Sequence, residues 1–297
     1  MKAKKVHIYP FLSQDKGLVL CRIGRETVGT YGWDLERDTF RMGQWMRAKI
    51  YQCRCDLSPD GNYFIYFAYQ PRWDNLANPH GRSQERLPPE SWTAISRAPY
   101  LKAVDFIPWE KGGTWNGGGV FLDDTHVYIN LMPDLWGTLD GKISPTGYHY
   151  VSQPKPEEYY GGEDLTPLLM RLRCHGWVLD PDPNVGYLLT KKITNTLLLQ
   201  KECLGREEEI NKVCSLEGDT LLQVNGWCDY DTPRRRLVMA DKCVLYAWAL
   251  EDIERGRGYL ASRKKLFSFQ AVRPLFSPAP YASLWERPCP HVVPPSC

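Results

Sequence analysis

The sequence predicts an all-β protein built from short strands and tight turns. The chain has 297 residues, which suffices for one large or two ordinary domains with a buried core. It combines 11 Trp, 17 Tyr and 9 Phe with 24 Gly and 23 Pro. Aromatic residues favour strands, while Gly and Pro favour the turns between strands. This composition indicates hairpins rather than a helical bundle.

The clearest hairpin surrounds the turn Ser58-Pro59-Asp60-Gly61. A strand-like run over 48–57 enters this turn, and a second run over 63–69 leaves it. Proline sets φ at the second position of the turn, and glycine supplies the permissive last position. Similar strand-like runs follow polar turns at 119–122, 186–189 and 236–239.

The hairpins recur at a regular spacing. A Gly-Trp pair, an acidic turn and two strand-like runs follow one another after Gly176 and again after Gly226. Measured from turn to turn, five copies begin near residues 13, 58, 108, 180 and 230. A period of about 40–50 residues with several strands per unit is typical of a β-propeller, whose blades bury their faces against each other. We predict five blades, with six or seven left open and a β-sandwich as the alternative fold.

Two stretches resemble a known family. Residues 33–36 (WDLE) and 55–63 (CDLSPDGNY) are similar to the end of one blade and the start of the next in WD-repeat propellers. The resemblance covers residues 30–70, and the other copies match only in outline. It implies a degenerate WD-repeat-like β-propeller.

The remaining segments lie outside the repeated hairpins. The long step between 108 and 180 contains a stretch rich in Gly, Pro and Tyr over 133–166, which we interpret as an insertion on one rim. Seven prolines over 274–297 exclude a helix or central strand there. We therefore predict a propeller over 1–273 and a Pro-rich tail over 274–297, laid on the propeller or ordered by a partner. Short charged helices are predicted over 206–213 and 249–257.

Charge and hydropathy limit the classes of function. The chain carries 37 Lys and Arg against 35 Asp and Glu, so any charged surface must be local. The sequence has no apolar run long enough for a membrane span or a secretory signal. Its 10 Cys are irregularly spaced, which favours reduced thiols. We expect a soluble cytoplasmic protein that does not contact a membrane.

Sequence motifs for catalysis are weak. Cys53, Cys55 and the Cys174-His175 pair are the candidate metal ligands, but no Cys-x-x-Cys spacing occurs. The glycine-rich run over 112–119 lacks the Gly-Lys-Ser/Thr order of a phosphate loop. No Gly-x-Ser-x-Gly motif is present. We therefore predict no catalytic residues, no metal and no cofactor.

Two functional alternatives are open. Asp180 and Glu202 superficially resemble the acidic motifs of a five-bladed glycoside hydrolase family, which would need two carboxyl groups at one mouth of the ring. Arg234, Arg235 and Arg236 belong to a basic C-terminal third with interleaved aromatic residues, which would suit a nucleic acid.

The preferred prediction is a non-catalytic scaffold for protein–protein interaction, acting as an adaptor or a regulatory or inhibitory subunit. Aromatic residues and Arg dominate binding hot spots, and here they recur in polar, Gly-rich or Pro-rich stretches. Together with Arg234–Arg236, the candidate contact residues are Trp73, Trp92, Trp115, Trp136, Tyr148, Tyr159 and Tyr160.

Overall fold

Five small sheets form a ring in the computed structural model of the chain. The structure describes residues 5–70, 90–109, 114–155, 165–182, 186–203, 209–256 and 262–281. Each sheet is one blade, built from a single continuous stretch of the chain. The arrangement is a five-bladed β-propeller, so the predicted fold class is confirmed and the β-sandwich alternative is wrong.

The blades follow one another in chain order. Blade 1 contains β1 (Val6–Leu12), β2 (Lys16–Ile23), β3 (Thr27–Asp34) and β4 (Thr39–Arg47). Blade 2 contains β5 (Lys49–Ile50), β6 (Asp56–Leu57), β7 (Tyr63–Tyr69), β8 (Ser91–Arg97) and β9 (Ala103–Trp109). Blade 3 contains β10 (Gly119–Phe121), β11 (His126–Ile129) and β12 (His149–Val151). Blade 4 contains β13 (Val178–Asp182), β14 (Gly186–Lys192), β15 (Leu197–Cys203), β16 (Glu209–Ser215) and β17 (Thr220–Asn225). Blade 5 contains β18 (Cys228–Asp231), β19 (Arg236–Asp241), β20 (Val244–Ala249) and β21 (Lys264–Ser268).

The described ranges contain two short helices. Helix α1 (Thr166–Cys174) precedes blade 4, and α2 (Leu250–Glu254) follows β20. Single 3-10 turns occupy Gln52–Arg54 and Pro133–Leu135. We call the face that carries the turns at 13–15, 58–62, 122–125 and 232–235 the funnel face, and the opposite face the rear face.

The turn at Ser58 forms the predicted hairpin. The Ser58 hydroxyl accepts hydrogen bonds from the backbone N–H groups of Asn62 and Tyr63, at 3.1 and 2.9 Å. The backbone N–H of Gly61 donates to the Ser58 carbonyl oxygen at 2.8 Å, and Gly61 adopts a φ of 68°. The turn residues therefore satisfy their own backbone groups, which explains why the sequence alone predicts this hairpin.

Three details of the prediction are corrected. The third hairpin turns at 122–125 and not near 108, because Pro108 lies in β9, an edge strand that tolerates proline. Residues 209–213 of the helix predicted over 206–213 belong to strand β16, in which Asn211 and Val213 are buried on one face, and residues 206–208 lie outside the described residues. The stretch 133–166 is not only an insertion, since its strand β12 pairs in parallel with β11. The helix predicted over 249–257 is confirmed as α2.

Hydrophobic clusters between neighbouring blades hold the ring together. Blades 1 and 2 share a cluster that contains Leu18 and Phe64, and blades 2 and 3 share one that contains Phe67 and Ile129. Blades 4 and 5 share a cluster around Trp248. A single blade would leave both of its faces in water, so each blade depends on its neighbours for stability.

Helix α1 lies inside the ring. Met170 packs against Val120 of blade 3, and Leu169 joins the cluster between blades 4 and 5. Arg171 lies over the ring of Phe11 in blade 1 and donates hydrogen bonds to two backbone carbonyl oxygens of blade 2. Among the described residues, no hydrophobic cluster joins blades 3 and 4 directly. The helix therefore supplies the contact that two adjacent blades lack.

Arg236 closes the ring between blades 5 and 1. Its Nη1 lies 2.8 Å from both carboxylate oxygens of Asp38 in blade 1, and its Nε lies 2.8 Å from Asp231 Oδ2 in blade 5. Arg234 pairs in the same way with Asp231 at 3.0 Å and with Asp15 of blade 1 at 3.3 Å. Both guanidinium groups are largely buried. These two arginines are structural partners of carboxylates and not free groups for phosphate.

The described part of the C-terminal segment packs on the outside of the ring. The Tyr281 hydroxyl donates to the Lys102 carbonyl oxygen at 2.7 Å, and its ring contacts Tyr100. Upstream, the Gln44 side chain donates to the Ser277 carbonyl oxygen at 3.1 Å. Residues 274–281 thus lie across the outer strands of blades 1 and 2.

We expect Arg236→Met to lower the free energy of unfolding by about 2 kcal/mol, because it removes a charged hydrogen-bond donor from two largely buried carboxylates, Asp38 and Asp231, which keep Lys264 and Arg234 as cationic partners. The control is Arg235→Met, since Arg235 is exposed and adjacent, and this change should stay within about 0.5 kcal/mol. Urea unfolding of the two variants and the wild type measures both values. Equal effects of the two substitutions would contradict the proposed closure.

Candidate functional site

A cavity of about 280 Å³ opens at the centre of the funnel face. All five blades and the end of α1 contribute to its walls, and no single blade could form it. Its lining residues are 12–14 of blade 1, 57 and 59 of blade 2, 121 and 122 of blade 3, 174 and 175 after α1, 191 of blade 4 and 229–233 of blade 5.

The C-terminal end of α1 forms the floor of this cavity. Gly176, at a φ of 82°, donates its N–H to the Arg173 carbonyl oxygen at 2.9 Å, and Trp177 donates to the Leu172 carbonyl oxygen at 3.0 Å. This pair of bonds is the Schellman motif that ends many helices at glycine. It fixes Cys174 and His175 at the base of the cavity. Sequence reasoning missed α1, although Pro167 near its start and Gly176 after its end were usable signals.

Asp56 is a buried carboxyl group beside this floor. Its two oxygens accept backbone N–H bonds from Leu57 and Phe121, each at 2.9 Å, and so join the inner strands of blades 2 and 3. Burial raises the pKa of Asp56 to about 7, against the opposing effects of Arg171 and the two N–H groups. The carboxyl group is therefore half protonated near neutral pH.

His175 faces Asp56 across a short gap. Its Nε2 lies 4.0 Å from Asp56 Oδ1, and 29% of its side chain is exposed to the cavity. Burial lowers the pKa of His175 to about 4; Asp229 opposes this shift, and Arg171 and Lys191 add to it. The imidazole is consequently neutral at pH 7, with one nitrogen that donates and one that accepts a hydrogen bond.

An ion pair completes the floor. Lys191 Nζ lies 2.8 Å from Asp229 Oδ1, and each side chain retains only about an eighth of its surface in contact with solvent, at 13% and 12%. Burial alone would raise the pKa of Asp229, but Lys191, with further contributions from His175 and Lys201, outweighs it, so the pKa lies below its usual value. The Lys191 ammonium also lies 5.8 Å from the centre of the Trp177 ring. The base of the cavity thus presents one positive and one negative charge side by side.

The predicted contact aromatics are distributed differently from the expectation that all lie in loops. Trp92 lies in strand β8 and is buried among the blade 1–2 cluster, and Tyr148 is buried between blades 2 and 3. Trp92 therefore lies in a strand and not in a loop, whereas Tyr148 precedes β12 and lies in a loop as predicted, although its side chain is buried. Trp136 is half-buried and donates its indole N–H to the Leu131 carbonyl oxygen at 3.2 Å. Trp115 is 67% exposed. Trp73, Tyr159 and Tyr160 lie outside the described residues.

Of the acidic and metal candidates, Cys174 and His175 line the cavity, and Cys53, Cys55 and Glu202 do not. Glu202 of β15 is paired with Lys212 of β16 at 2.5 Å, and the side chain of Asp180 lies outside the described part of the chain. In the described ranges, no group of three or more His, Cys, Asp and Glu side chains is placed to hold a metal ion. The arrangement that the structure does bring together, Asp56, His175, Lys191 and Asp229, has no motif in the sequence.

Comparison with solved structures returns matches of low similarity. The uncharacterized protein lmo1340 from Listeria monocytogenes EGD-e matches at 10% identity and a TM-score of 0.32, over 93% of this chain and 87% of that chain. A prolyl endopeptidase matches at 9% identity and 0.32, over 88% of this chain and 42% of its own. The tricorn protease matches at 10% identity and 0.22, over 91% and 26%. No family model and no curated protein matches the chain.

These matches define no function, and the resemblance to WD-repeat proteins stays a prediction. None of the helices in the described part of the chain has the length and hydrophobicity needed to span a bilayer.

Single substitutions should separate the pH dependence of Asp56 from that of His175. Between about pH 4 and 6.5, the folded protein holds a proton on Asp56 and none on His175, while the unfolded chain does the reverse. Because the folded and unfolded states then bind equal numbers of protons, the pair does not change the slope of the free energy of unfolding against pH. In His175→Gln only the Asp56 carboxyl group, with its raised pKa, remains, so the free energy of unfolding should fall as pH rises through this range. In Asp56→Asn only the His175 imidazole, with its lowered pKa, remains, so the free energy of unfolding should rise with pH. Each slope should reach up to about 1.4 kcal/mol per pH unit.

Urea unfolding of both variants and the wild type at several pH values measures these slopes. The wild type supplies the contribution of all other groups, which is subtracted from each variant. Variants that both keep the wild-type pH dependence would rule out the assigned protonation states.

Proposed function

We propose that this protein is a non-catalytic interaction scaffold, an adaptor or a regulatory or inhibitory subunit, and that it binds another protein through the rear face of blade 3. The observation that carries this proposal is a large exposed side chain on a segment, residues 114–118, whose backbone is held by hydrogen bonds. Trp115 has 67% of its surface in solvent, and the backbone on both of its sides is fixed by buried groups.

Arg54 fixes the loop from below. This side chain is buried, and its Nη1 donates to the carbonyl oxygen of Thr114 at 2.6 Å and to that of Asn116 at 2.8 Å. These residues flank Trp115, so one guanidinium group holds the peptide units before and after the indole. Hydrogen bonds from a charged donor are among the stronger ones in proteins.

Two glycines lock the other end of the loop. Gly117 donates its N–H to the Asn130 carbonyl oxygen at 2.8 Å, and Asn130 donates to the Gly118 carbonyl oxygen at 3.0 Å. Gly118 has a φ of 79°, and a Cβ atom there would lie 2.1 Å from the carbonyl oxygen of Arg54. Only glycine fits this approach. Gly117 and Gly118 therefore hold the backbone after Trp115 in one conformation.

A fixed and exposed tryptophan is a favourable anchor for a partner. Burial of an indole contributes a large apolar area, and a loop that is already ordered loses little entropy on binding. The segment after Asn130 adds Leu135, which is 38% exposed, and the half-buried Trp136 on the same face. Tryptophan is enriched at the centres of protein interfaces.

The two alternatives receive less support from the geometry. A glycoside hydrolase would need a pair of carboxyl groups at the mouth of the ring, whereas Glu202 is paired with Lys212 away from it. A nucleic-acid site would need free cations, whereas Arg234 and Arg236 are committed to Asp231 and Asp38. We include a cytoplasmic location in the proposal, because Cys21, Cys55 and Cys228 are buried as free thiols.

We expect Trp115→Ala to weaken partner binding by at least about tenfold, because it removes the anchor, and to leave the stability within about 0.5 kcal/mol. The measurement is quantitative affinity capture from the native host with wild-type and variant baits side by side. Phe276→Ala is the matched control, since Phe276 is also an exposed aromatic residue, at 50%, but lies on the outside of blade 1. Partners that bind all three baits equally would argue against the rear face of blade 3 as the binding surface.

A further inference from the structure

The geometry points to a second site, in which the central cavity of the funnel face binds a free α-amino acid with an apolar side chain. This site lies on the opposite face from Trp115 and is independent of the proposed scaffold function. The argument rests on the Lys191–Asp229 pair at the base of the cavity and on the apolar wall above it.

The ion pair has hydrogen-bonding capacity left over. Asp229 Oδ1 accepts from Lys191 Nζ at 2.8 Å and from the Tyr230 backbone N–H at 2.7 Å. Within the described ranges, Asp229 Oδ2 has no hydrogen-bond partner, and Lys191 Nζ, which carries three donors, has Asp229 as its one such partner. Both groups line the cavity. A ligand therefore finds one charged acceptor and one charged donor without breaking the existing pair.

The charges favour a zwitterion over a simple ion. A lone anion on Lys191 would also face the Asp229 carboxylate, and a lone cation on Asp229 would also face the Lys191 ammonium. Only 13% of the Lys191 side chain and 12% of the Asp229 side chain are exposed, so water screens these repulsions poorly. An α-amino acid places its ammonium and carboxylate on one carbon atom, which matches two protein charges 2.8 Å apart.

The upper wall selects the side chain of the ligand. Leu12, Pro59 and Leu122 are half-buried around the mouth of the cavity, and Phe121 lies behind them. These groups offer an apolar surface to whatever extends from the charged head group. The neutral imidazole of His175 adds one polar contact without adding charge. An aliphatic or aromatic side chain fits this wall better than a charged one.

The size of the cavity limits the ligand to one small molecule. A volume of about 280 Å³ lies at the low end of the range for small-molecule sites, which is about 300–1,000 Å³. The floor is closed by the end of α1, so no chain can pass through the ring. A free amino acid satisfies both limits, whereas a peptide or an oligosaccharide does not.

The test uses Cys174, an exposed thiol that lines the cavity, as a reporter in the native protein. The rate of Cys174 alkylation by iodoacetamide is followed by peptide mass spectrometry with L-leucine, L-leucinamide, 4-methylpentanoate or no addition. We expect L-leucine at ten times its Kd to slow the reaction about tenfold, because occupied sites exclude the reagent. Leucinamide lacks the carboxylate and 4-methylpentanoate lacks the ammonium, so neither should protect. Cys53, which does not line the cavity, should react at an unchanged rate in every sample.

Two variants assign the contacts. Lys191→Met and Asp229→Asn should each abolish protection by leucine, while Lys192→Met, an exposed neighbour on the same strand, should retain it. If a variant fails to fold, the four samples of wild-type protein still decide the question. Equal protection by leucinamide or 4-methylpentanoate would overturn the zwitterion requirement, and no protection by leucine at millimolar concentration would overturn the site.

Discussion

Side chains close the ring between blades 5 and 1, and the rest of the structure depends on that closure. Each blade is a continuous stretch of chain, so within the described ranges no strand is shared between the first and the last blade. A hydrophobic cluster with Trp33 and Phe269 and the bonds of Arg236 to Asp38 hold these two blades together. Unpaired carboxylates at this seam would be costly to bury. The two arginines that resemble a nucleic-acid motif are therefore better explained as the closure of the fold.

Helix α1 supplies the contact between blades 3 and 4, and its end forms part of the cavity. It fills the space between blades 3 and 4, and its glycine-terminated end closes the cavity of the funnel face. The cavity gathers a buried carboxyl, a neutral imidazole and an ion pair from parts of the chain that are far apart. The rear face is different in character, because there Trp115 is exposed on a loop that Arg54 holds in place. We therefore propose different ligands for the two faces, a small zwitterion for one and a protein for the other.

Local patterns predicted strands well where the turn chemistry was complete, and poorly where tertiary packing decided the outcome. The Ser58 turn satisfies its own backbone groups, so its hairpin was predictable. The charged run at 206–213 looked helical, but its described part, 209–213, is a strand in which Asn211 and Val213 are buried against blade 5. Pro108 suggested a turn, yet an edge strand tolerates it. Trp92 looked like a loop residue, yet its strand buries it.

The sequence by itself determined the all-β class, the repeated unit and most of the hairpins, because each of these depends on residues that are close together in the chain. The tertiary structure alone decided which groups form the site and which close the ring. Arg236 and Asp38 are separated by 198 positions, and Lys191 and Asp229 by 38. Such pairs leave no local periodicity, because their contact arises only when the blades meet. The physical reason is that turns are stabilised by their own neighbours, whereas buried charges must find a partner wherever the fold brings one.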